Sequence, residues 1–318
     1  MKRALVFPGQ GSQAVGMGRG LAEAFPAARL LLDEVDDALS QPLSRLMFEG
    51  PESELTLTEN AQPALMAASL AAIRVLEAEG GLDLRRHVAF VAGHSLGEYS
   101  ALAAARALAV GDAARLLRLR GRAMQRAVPV GDGAMAALIG LDVAAARTVA
   151  AEATRAGVDR DELCAVANDN APGQTVLSGH RGAVERAIAI GREHGARRSV
   201  MLPVSAPFHS PLLAPAAAAM AEALARVALR PPLVPLVANV SARPVGAPAE
   251  IERLLVEQVT AMVRWRESVL FLAASGVAEV IEVGAGRVLA GLVKRIAPDL
   301  AALSVGLPDE IDMLIGAF

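Results

Sequence analysis

Residues 93–97 constrain the structure and chemistry of this chain more than any other stretch. They read G-H-S-L-G and fit the G-x-S-x-G pattern of a nucleophile elbow. The apolar residues 87–92 favour a buried strand, and the Ala- and Leu-rich residues 96–108 favour a helix. Ser95 therefore falls at a sharp strand-to-helix turn, where free N–H groups at the helix N-terminus can bind an oxyanion. This context favours a nucleophilic serine over a structural one.

The composition is typical of a globular protein and excludes several function classes. Of the 318 residues, 53% are hydrophobic and 20% are charged, which is enough apolar material for a core. Only 3% are aromatic and the net charge is −3, so nucleic-acid binding is not expected. The single cysteine, Cys164, excludes an intrachain disulfide. No apolar run suits a membrane span or a signal peptide, so we expect a cytoplasmic protein with no membrane contact.

Strand and helix patterns alternate along most of the chain and predict an α/β fold, with a mainly parallel sheet covered on both faces. Residues 130–201 interrupt this alternation with a β-α-β-β-α-β order, which is typical of a ferredoxin-like arrangement. We therefore expect a large unit made of residues 1–129 and 202–318, with residues 130–201 inserted as a smaller subdomain. Within that insert, residues 168–173 are predicted to form a turn.

A nucleophilic serine needs a general base, and His209 is the favoured histidine. It lies in a Pro-bracketed loop, residues 205–211, where the chain leaves the predicted insert, and such a crossing predicts a cleft. His94 adjoins Ser95, but neighbouring side chains on a tight turn usually diverge. His180 and His194 flank a predicted helix of the insert and are expected at the surface. A loop histidine taken alone is more often structural, and only the elbow makes His209 the preferred base.

Arg120 lies on the apolar stripe of the helix predicted at residues 112–127. It follows Leu116 by four residues and precedes Met124 by four, so all three share one helix face. One interpretation is a structural arginine that pairs with a carboxylate or extends its charged end to solvent. The other is an arginine that points into the cleft and binds an anionic substrate group through two parallel hydrogen bonds. The pattern leaves both open.

The loop at residues 9–14 formally fits G-x-G-x-x-A, the pattern of a dinucleotide-binding turn. No second strand ending in an acidic residue follows at the required distance, and the loop lacks the lysine of a phosphate-binding loop. We interpret it instead as a tight loop that presents Gln10 beside the elbow. No spacing of histidine, cysteine and carboxylate residues indicates a metal site.

Six motifs, in this order, give the chain its resemblance to the malonyl-CoA:acyl carrier protein transacylase family. They are F-P-G-Q-G-S-Q (7–13), G-H-S-L-G-E-Y (93–99), L-R-G-R-A-M-Q (119–125), N-D-N-A-P-G-Q (168–174), P-V-S-A-P-F-H-S (203–210) and E-V-G-A-G-R-V-L (282–289). The resemblance extends from about residue 3 to residue 296. It implies a hydrolase-like α/β domain that carries a ferredoxin-like insert.

The resemblance also implies roles for individual residues. Ser95 would be the nucleophile and His209 the base, and the backbone N–H groups of Gln10 and Leu96 would form the oxyanion hole. Arg120 would bind the free carboxylate of the malonyl group.

Three further positions follow from the same resemblance. The second ring nitrogen of His209 would bond a backbone carbonyl among residues 263–265. Arg264 stands where some family members have glutamine, and Met262 where proline is common. Phe208 precedes the base, and its ring should crowd a branched acyl group, so malonyl is expected to be preferred over methylmalonyl.

The implied reaction is a two-step acyl transfer from malonyl-CoA to the phosphopantetheine thiol of an acyl carrier protein, by way of a malonyl-serine. CoA and the carrier protein are then substrates, so we expect no dissociable cofactor, and we expect a monomer. An acidic carrier protein needs a basic docking surface. The two candidate clusters are Arg115, Arg118, Arg122 and Arg126, and Arg181, Arg186, Arg197 and Arg198. The alternative for either cluster is an ordinary solvated face.

Three alternatives stay open beside this reaction. A serine esterase or thioesterase usually has its histidine near the C-terminus, whereas about a hundred residues follow His209 here. The malonyl-transfer subunit of a malonate decarboxylase would share the chemistry. A catalytically silent scaffold would not need Ser95, His209 and Arg120 together.

Overall fold

The computed structural model describes residues 1–157 and 162–318. Its strands are β1 Arg3–Phe7, β2 Val88–Gly93, β3 Gly133–Ile139, β4 Cys164–Ala171, β5 Gln174–His180, β6 Arg198–Met201, β7 Leu236–Val237, β8 Pro244–Val245, β9 Glu279–Val283 and β10 Ala301–Val305. Its helices are α1 Arg19–Ala24, α2 Pro26–Leu39, α3 Leu43–Glu49, α4 Glu52–Leu55, α5 Thr58–Ala78, α6 Leu84–His87, α7 Gly97–Ala104, α8 Val110–Ala127, α9 Val143–Arg155, α10 Arg181–Glu193, α11 Ala214–Leu224, α12 Pro248–Gln258, α13 Trp265–Ala274, α14 Val288–Ile296 and α15 Pro308–Asp312. A short 3-10 helix spans Pro211–Leu213.

The larger sheet has the strand order β10-β9-β1-β2-β7-β8, and its pairs are parallel except for the β7–β8 pair at one edge. Residues 4–7 of β1 are fully buried, which explains why that strand is apolar without interruption. Phe7 at the end of β1 is paired with Gly93 at the end of β2. The loop after β1 and the turn after β2 therefore meet at the same edge of the sheet.

The smaller sheet has the order β4-β5-β3-β6, and all its pairs are antiparallel. Helices α9 and α10 cover it, and their buried apolar side chains form a cluster with the sheet that is separate from the cores of the larger sheet. A parallel sheet with helices and a separate antiparallel sheet confirm the predicted fold class. The exact division at residues 130–201 stays a prediction.

The turn predicted at residues 168–173 is shorter than expected and is confined to residues 172 and 173, because β4 continues to Ala171. Polar residues such as Asn and Asp usually favour turns, but here they contact the larger sheet's elements. The Asp169 N–H donates to the Val263 carbonyl at 2.9 Å, and the Asp169 carboxylate pairs with Arg266 at 2.8 Å. These tertiary contacts stabilise an extended strand that docks the smaller sheet against the start of α13.

Proline limits two elements of the larger unit. Helices α1 and α2 are separate, because Pro26 occupies the first turn of α2 and restricts the residue before it. Strand β7 has only two residues. Pro235 directly precedes it, and a proline has no N–H for a ladder of hydrogen bonds. No helix in the described ranges is long and apolar enough to cross a membrane.

Candidate active site

The turn around Ser95 forces an unusual backbone conformation. Ser95 has φ of 54°, in the left-handed region that non-glycine residues avoid. A Cβ atom at Gly93 would lie 1.9 Å from the Gly97 carbonyl carbon, and one at Gly97 would lie 2.3 Å from the Phe7 oxygen. Both positions therefore require glycine. The Ser95 N–H donates to Asn239 Oδ1 at 2.8 Å, and this contact helps to fix the turn.

Ser95 and His209 lie together, although 114 residues separate them in the sequence. The Ser95 hydroxyl donates to His209 Nε2 at 2.8 Å, and His209 Nδ1–H donates to the Gln258 carbonyl at 2.9 Å. Burial, with the nearby Arg120 cation, lowers the pKa of His209 to about 3. The imidazole is therefore neutral at neutral pH, with Nε2 free to accept the serine proton.

The carbonyl that holds His209 is not among residues 263–265, so that expectation is wrong. It belongs to Gln258, the last residue of α12, and carbonyls at a helix C-terminus lack partners within the helix. Arg264 instead pairs with Glu267 at 2.5 Å.

The Arg120 guanidinium lies at the bottom of the site with only 1% of the residue exposed. It donates to Gln62 Oε1 at 2.8 Å, to Gln258 Oε1 at 2.7 Å and to Ser95 Oγ at 3.1 Å. Burial lowers its pKa. Within the described ranges no carboxylate lies within 4.0 Å of it, and its Nε has no hydrogen-bond partner. The structure therefore shows a buried cation held by amides and a hydroxyl, neither paired with a structural carboxylate nor extended to solvent.

The backbone N–H groups of Gln10 and Leu96 lie on two adjoining loops. The His94 N–H donates to the Phe7 carbonyl at 3.0 Å, and a Cβ atom at Gly9 would lie 2.9 Å from the His94 oxygen, so the loop after β1 packs directly on the elbow. Neither N–H makes a hydrogen bond within the part of the chain that the structure describes. Both remain available for an oxyanion.

Phe208 packs between the two sheets. Its half-buried ring contacts the main core of the larger sheet and a small cluster of Met135, Ala167 and Val176 on the smaller one. A cavity of about 510 Å³ lies close by; its lining residues include Gln10, Thr58, Arg122, Gln125 and Val204. Gln10 thus joins this cavity to the elbow, whereas Ser95, His209 and Arg120 do not line it.

The other histidines do not contact Ser95 Oγ. The His94 ring turns away, and its Nε2–H donates to Asn170 Oδ1 of β4 at 2.9 Å. His194 is exposed and lies 2.8 Å from Glu152, whereas His180 is half-buried and accepts from the Leu163 N–H. His209 is thus the histidine that the fold brings to the elbow.

Sequence reasoning missed three polar residues that surround the site. Glu98, buried in α7, accepts from the Asn239 N–H at 2.6 Å and from the Gln258 side-chain amide. Glu98 could have been noticed, since it is the single acidic residue of an otherwise uncharged helix in which every residue is buried. Asn239 lies in a loop and Gln258 at a helix end, both more than 140 residues from Glu98, and nothing local in the sequence points to them.

The chain resembles known proteins along most of its length. A sequence model described as "Acyl transferase domain" matches residues 4–300. The chain belongs to this family. It is 46% identical, over 99% of its length and 96% of the relative's, to a protein of Bacillus subtilis named malonyl CoA-acyl carrier protein transacylase. The family resemblance inferred from the six motifs is confirmed, and the protein is an acyltransferase.

Solved structures agree with this assignment. An acyl-carrier-protein S-malonyltransferase from Bartonella henselae superposes with a TM-score of 0.96 at 54% identity, covering 100% of this chain and 99% of that one. A malonyl-transacylase in complex with a type II PKS acyl-carrier protein gives a TM-score of 0.94 at 40% identity, with both chains fully covered. The likeness thus includes both sheets of the acyltransferase, not the elbow alone.

Proposed function

We propose that this acyltransferase moves a malonyl group from malonyl-CoA to the phosphopantetheine thiol of an acyl carrier protein, in the cytoplasm, through a malonyl ester of Ser95. One observation carries the choice of acyl group. Arg120 is a buried cation 3.1 Å from the Ser95 hydroxyl, and no carboxylate of the described chain pairs with it. A malonyl group supplies the missing carboxylate, which a single CH₂ group separates from the carbonyl that reacts.

The first half-reaction uses the Ser95–His209 contact. His209 Nε2 takes the hydroxyl proton while Oγ attacks the thioester carbonyl, and the N–H groups of Gln10 and Leu96 stabilise the oxyanion. Collapse of this intermediate breaks the C–S bond, and the CoA thiolate takes the proton from the imidazolium. The Gln258 carbonyl, bonded to Nδ1–H, keeps the ring in the required tautomer and stabilises its charged form.

The second half-reaction runs the same steps in reverse with a new thiol. His209 takes the proton from the phosphopantetheine thiol, the thiolate attacks the malonyl ester, and Ser95 Oγ leaves with the proton from the imidazolium. These steps need no dissociable cofactor, since the side chains and the two thiols supply every proton and electron pair.

Docking of the carrier protein needs exposed cations. Several arginines of the two clusters expected from the sequence are instead buried or paired with a carboxylate. Arg118 is 8% exposed and donates to the Glu59 carbonyl. Arg115 pairs with Asp112, Arg122 with Glu59, and Arg186 with Glu162. Within these two clusters, the arginines that are exposed and make no ion pair to a described residue are Arg126, Arg197 and Arg198.

We therefore assign docking to these three arginines. The rate with carrier protein should fall as salt rises, whereas the rate with a small pantetheine thiol should hardly change. Steady-state rates at several salt concentrations measure this. The same salt dependence for both acceptors would exclude electrostatic docking.

The intermediate is tested by intact-protein mass after mixing with malonyl-CoA. The wild type should gain one malonyl group, and adding holo carrier protein should remove it and load the carrier. Ser95→Ala should gain nothing. A serine thioesterase would instead release free malonate without any carrier, and a label mapped to another residue would reject Ser95 as nucleophile.

A further inference from the structure

Glu98 lies beneath the reacting groups and contacts none of them directly. Its carboxylate is 1% exposed and accepts two hydrogen bonds, one per oxygen. The Asn239 N–H donates to Oε1, and the Gln258 side-chain amide donates to Oε2. Each donor residue then contacts the elbow: Asn239 Oδ1 accepts from the Ser95 N–H, and Gln258 Nε2 donates to the Ser95 carbonyl at 2.9 Å.

The side-chain amide of Gln258 joins Glu98 to the substrate end of the site. Its Oε1 accepts from Arg120 at 2.7 Å, while its Nε2 faces Glu98 and the Ser95 carbonyl. A guanidinium can only donate, so Arg120 requires the oxygen of this amide. An ionised carboxylate can only accept, so Glu98 requires the nitrogen. The two charged groups therefore select the same one of the two possible amide orientations.

We propose that Glu98 is a positioning residue, which fixes the Gln258 amide so that its oxygen holds Arg120 beside Ser95, and which thereby supports the selection of dicarboxylic acyl groups. The proposal rests on the function proposed above. It predicts that Glu98 matters more for malonyl than for acetyl transfer, because only the malonyl group uses the position of Arg120.

Glutamine at position 98 tests this orientation with little change in shape. One of its two terminal atoms is an NH₂ group, so it would place a donor against the Asn239 N–H or against Gln258 Nε2. Turning the Gln258 amide to relieve that clash would place its NH₂ group against the Arg120 guanidinium. Glu98→Gln should therefore lower the ratio of malonyl to acetyl specificity constants by about ten- to a hundredfold.

The pH profile of that ratio is a second readout. Burial raises the pKa of Glu98 to about 7, against the hydrogen bonds and the Arg120 charge that favour its ionised form. The charged or titratable groups that face Glu98 are Arg120 from α8 and Tyr99 from its own helix, and burial raises the Tyr99 pKa to about 12. Below pH 7 a protonated Glu98 gains an O–H donor, as glutamine has an N–H donor. In the wild type, the ratio of malonyl to acetyl specificity constants should therefore fall as the pH falls through about 7. In Glu98→Gln the same ratio should not change with pH.

The experiment measures acylation of Ser95 by malonyl-CoA and by acetyl-CoA in single turnovers. The pH runs from about 5.5 to about 8.5, so that it brackets the raised pKa of Glu98. Ser100→Ala is the matched control, because Ser100 is a buried residue of the same helix whose hydroxyl has no partner within the described ranges. It should keep the wild-type ratio and profile.

Two results would overturn the proposal while the wild type still loads malonyl. One is a parallel loss of both substrates in Glu98→Gln together with a lower melting temperature, which indicates a purely structural carboxylate. The other is a wild-type ratio that rises as the pH falls, which indicates that the Glu98 charge opposes the malonyl carboxylate. A wild type that loads no malonyl group would reject the proposed function instead.

Discussion

Two arginines of this acyltransferase lie in contrasting surroundings. Arg266 lies between the two sheets and binds both oxygens of the buried Asp169, at 3.1 and 2.9 Å from its Nε, and this contact raises its pKa. Arg120 is more deeply buried, binds only neutral acceptors, and has a lowered pKa. A buried cation with its own carboxylate is stabilised by the fold. One without a carboxylate is costly until a ligand supplies the anion, which explains why we assign one arginine to architecture and the other to the substrate.

Replacing Arg120 should have the largest effect. Each charge-assisted hydrogen bond contributes about 1.5–3 kcal/mol, so losing a two-pronged contact lowers the malonyl specificity constant by about two to four powers of ten. In Arg120→Ala the acetyl constant should hardly fall, because acetyl has no carboxylate. Arg120→Lys should recover only part of the loss, since an ammonium lacks the planar fork. An unchanged malonyl-to-acetyl ratio in a folded variant would remove Arg120 from the substrate site.

Replacing Arg266 should give the opposite result. Arg266→Ala leaves the Asp169 carboxylate buried without its cation, which should lower the free energy of unfolding by about 1–3 kcal/mol. The malonyl-to-acetyl ratio should stay at the wild-type value. Denaturant titration and the two specificity constants measure both. A changed ratio with unchanged stability would show that the distinction between the two arginines is wrong.

Phe208 should give the smallest effect. Phe208 directly precedes His209 in the sequence, and its ring packs on apolar clusters of both sheets. We expect the ring to exclude a methyl branch on the acyl group. A methyl group in such a pocket is worth only about 1–3 kcal/mol, so Phe208→Ala should raise methylmalonyl relative to malonyl by about tenfold. Competition between the two thioesters measures this. If Arg120 acts independently of Phe208, malonyl should remain a good substrate of the variant. An equal preference for malonyl over methylmalonyl in variant and wild type would show that Phe208 does not set this preference.

The parts of the site that were predictable lie in short continuous segments. Ser95 sits within a strand, a turn and a helix whose patterns are local, so its placement follows from about twenty residues of sequence. The apolar stripe through Arg120 likewise showed that its helix face is buried. Both signals come from neighbours in the chain.

The missed parts depend on contacts between distant segments. Gln258 supplies a carbonyl to His209 and an amide to Arg120 and Glu98, yet in the sequence it is one polar residue at the end of an amphipathic helix. The family resemblance placed the carbonyl that bonds His209 at residues 263–265 instead of at Gln258. The loop between α12 and α13 has no strong sequence pattern that would correct this. The Asn168–Asn170 stretch was assigned to a turn for a similar reason: its contacts with Val263, Arg266 and His94 lie outside any local window.

The left-handed backbone at Ser95 has a counterpart at His209, where φ is 56°. Conformations of this kind cost on the order of 1–3 kcal/mol each and persist only where the surrounding structure enforces them. The two residues that meet at the reacting centre are thus both held in shapes that an unfolded chain rarely visits. The most stable sequence for this fold is therefore not the active one, and the acyltransferase keeps its reactivity at the expense of a margin against denaturation.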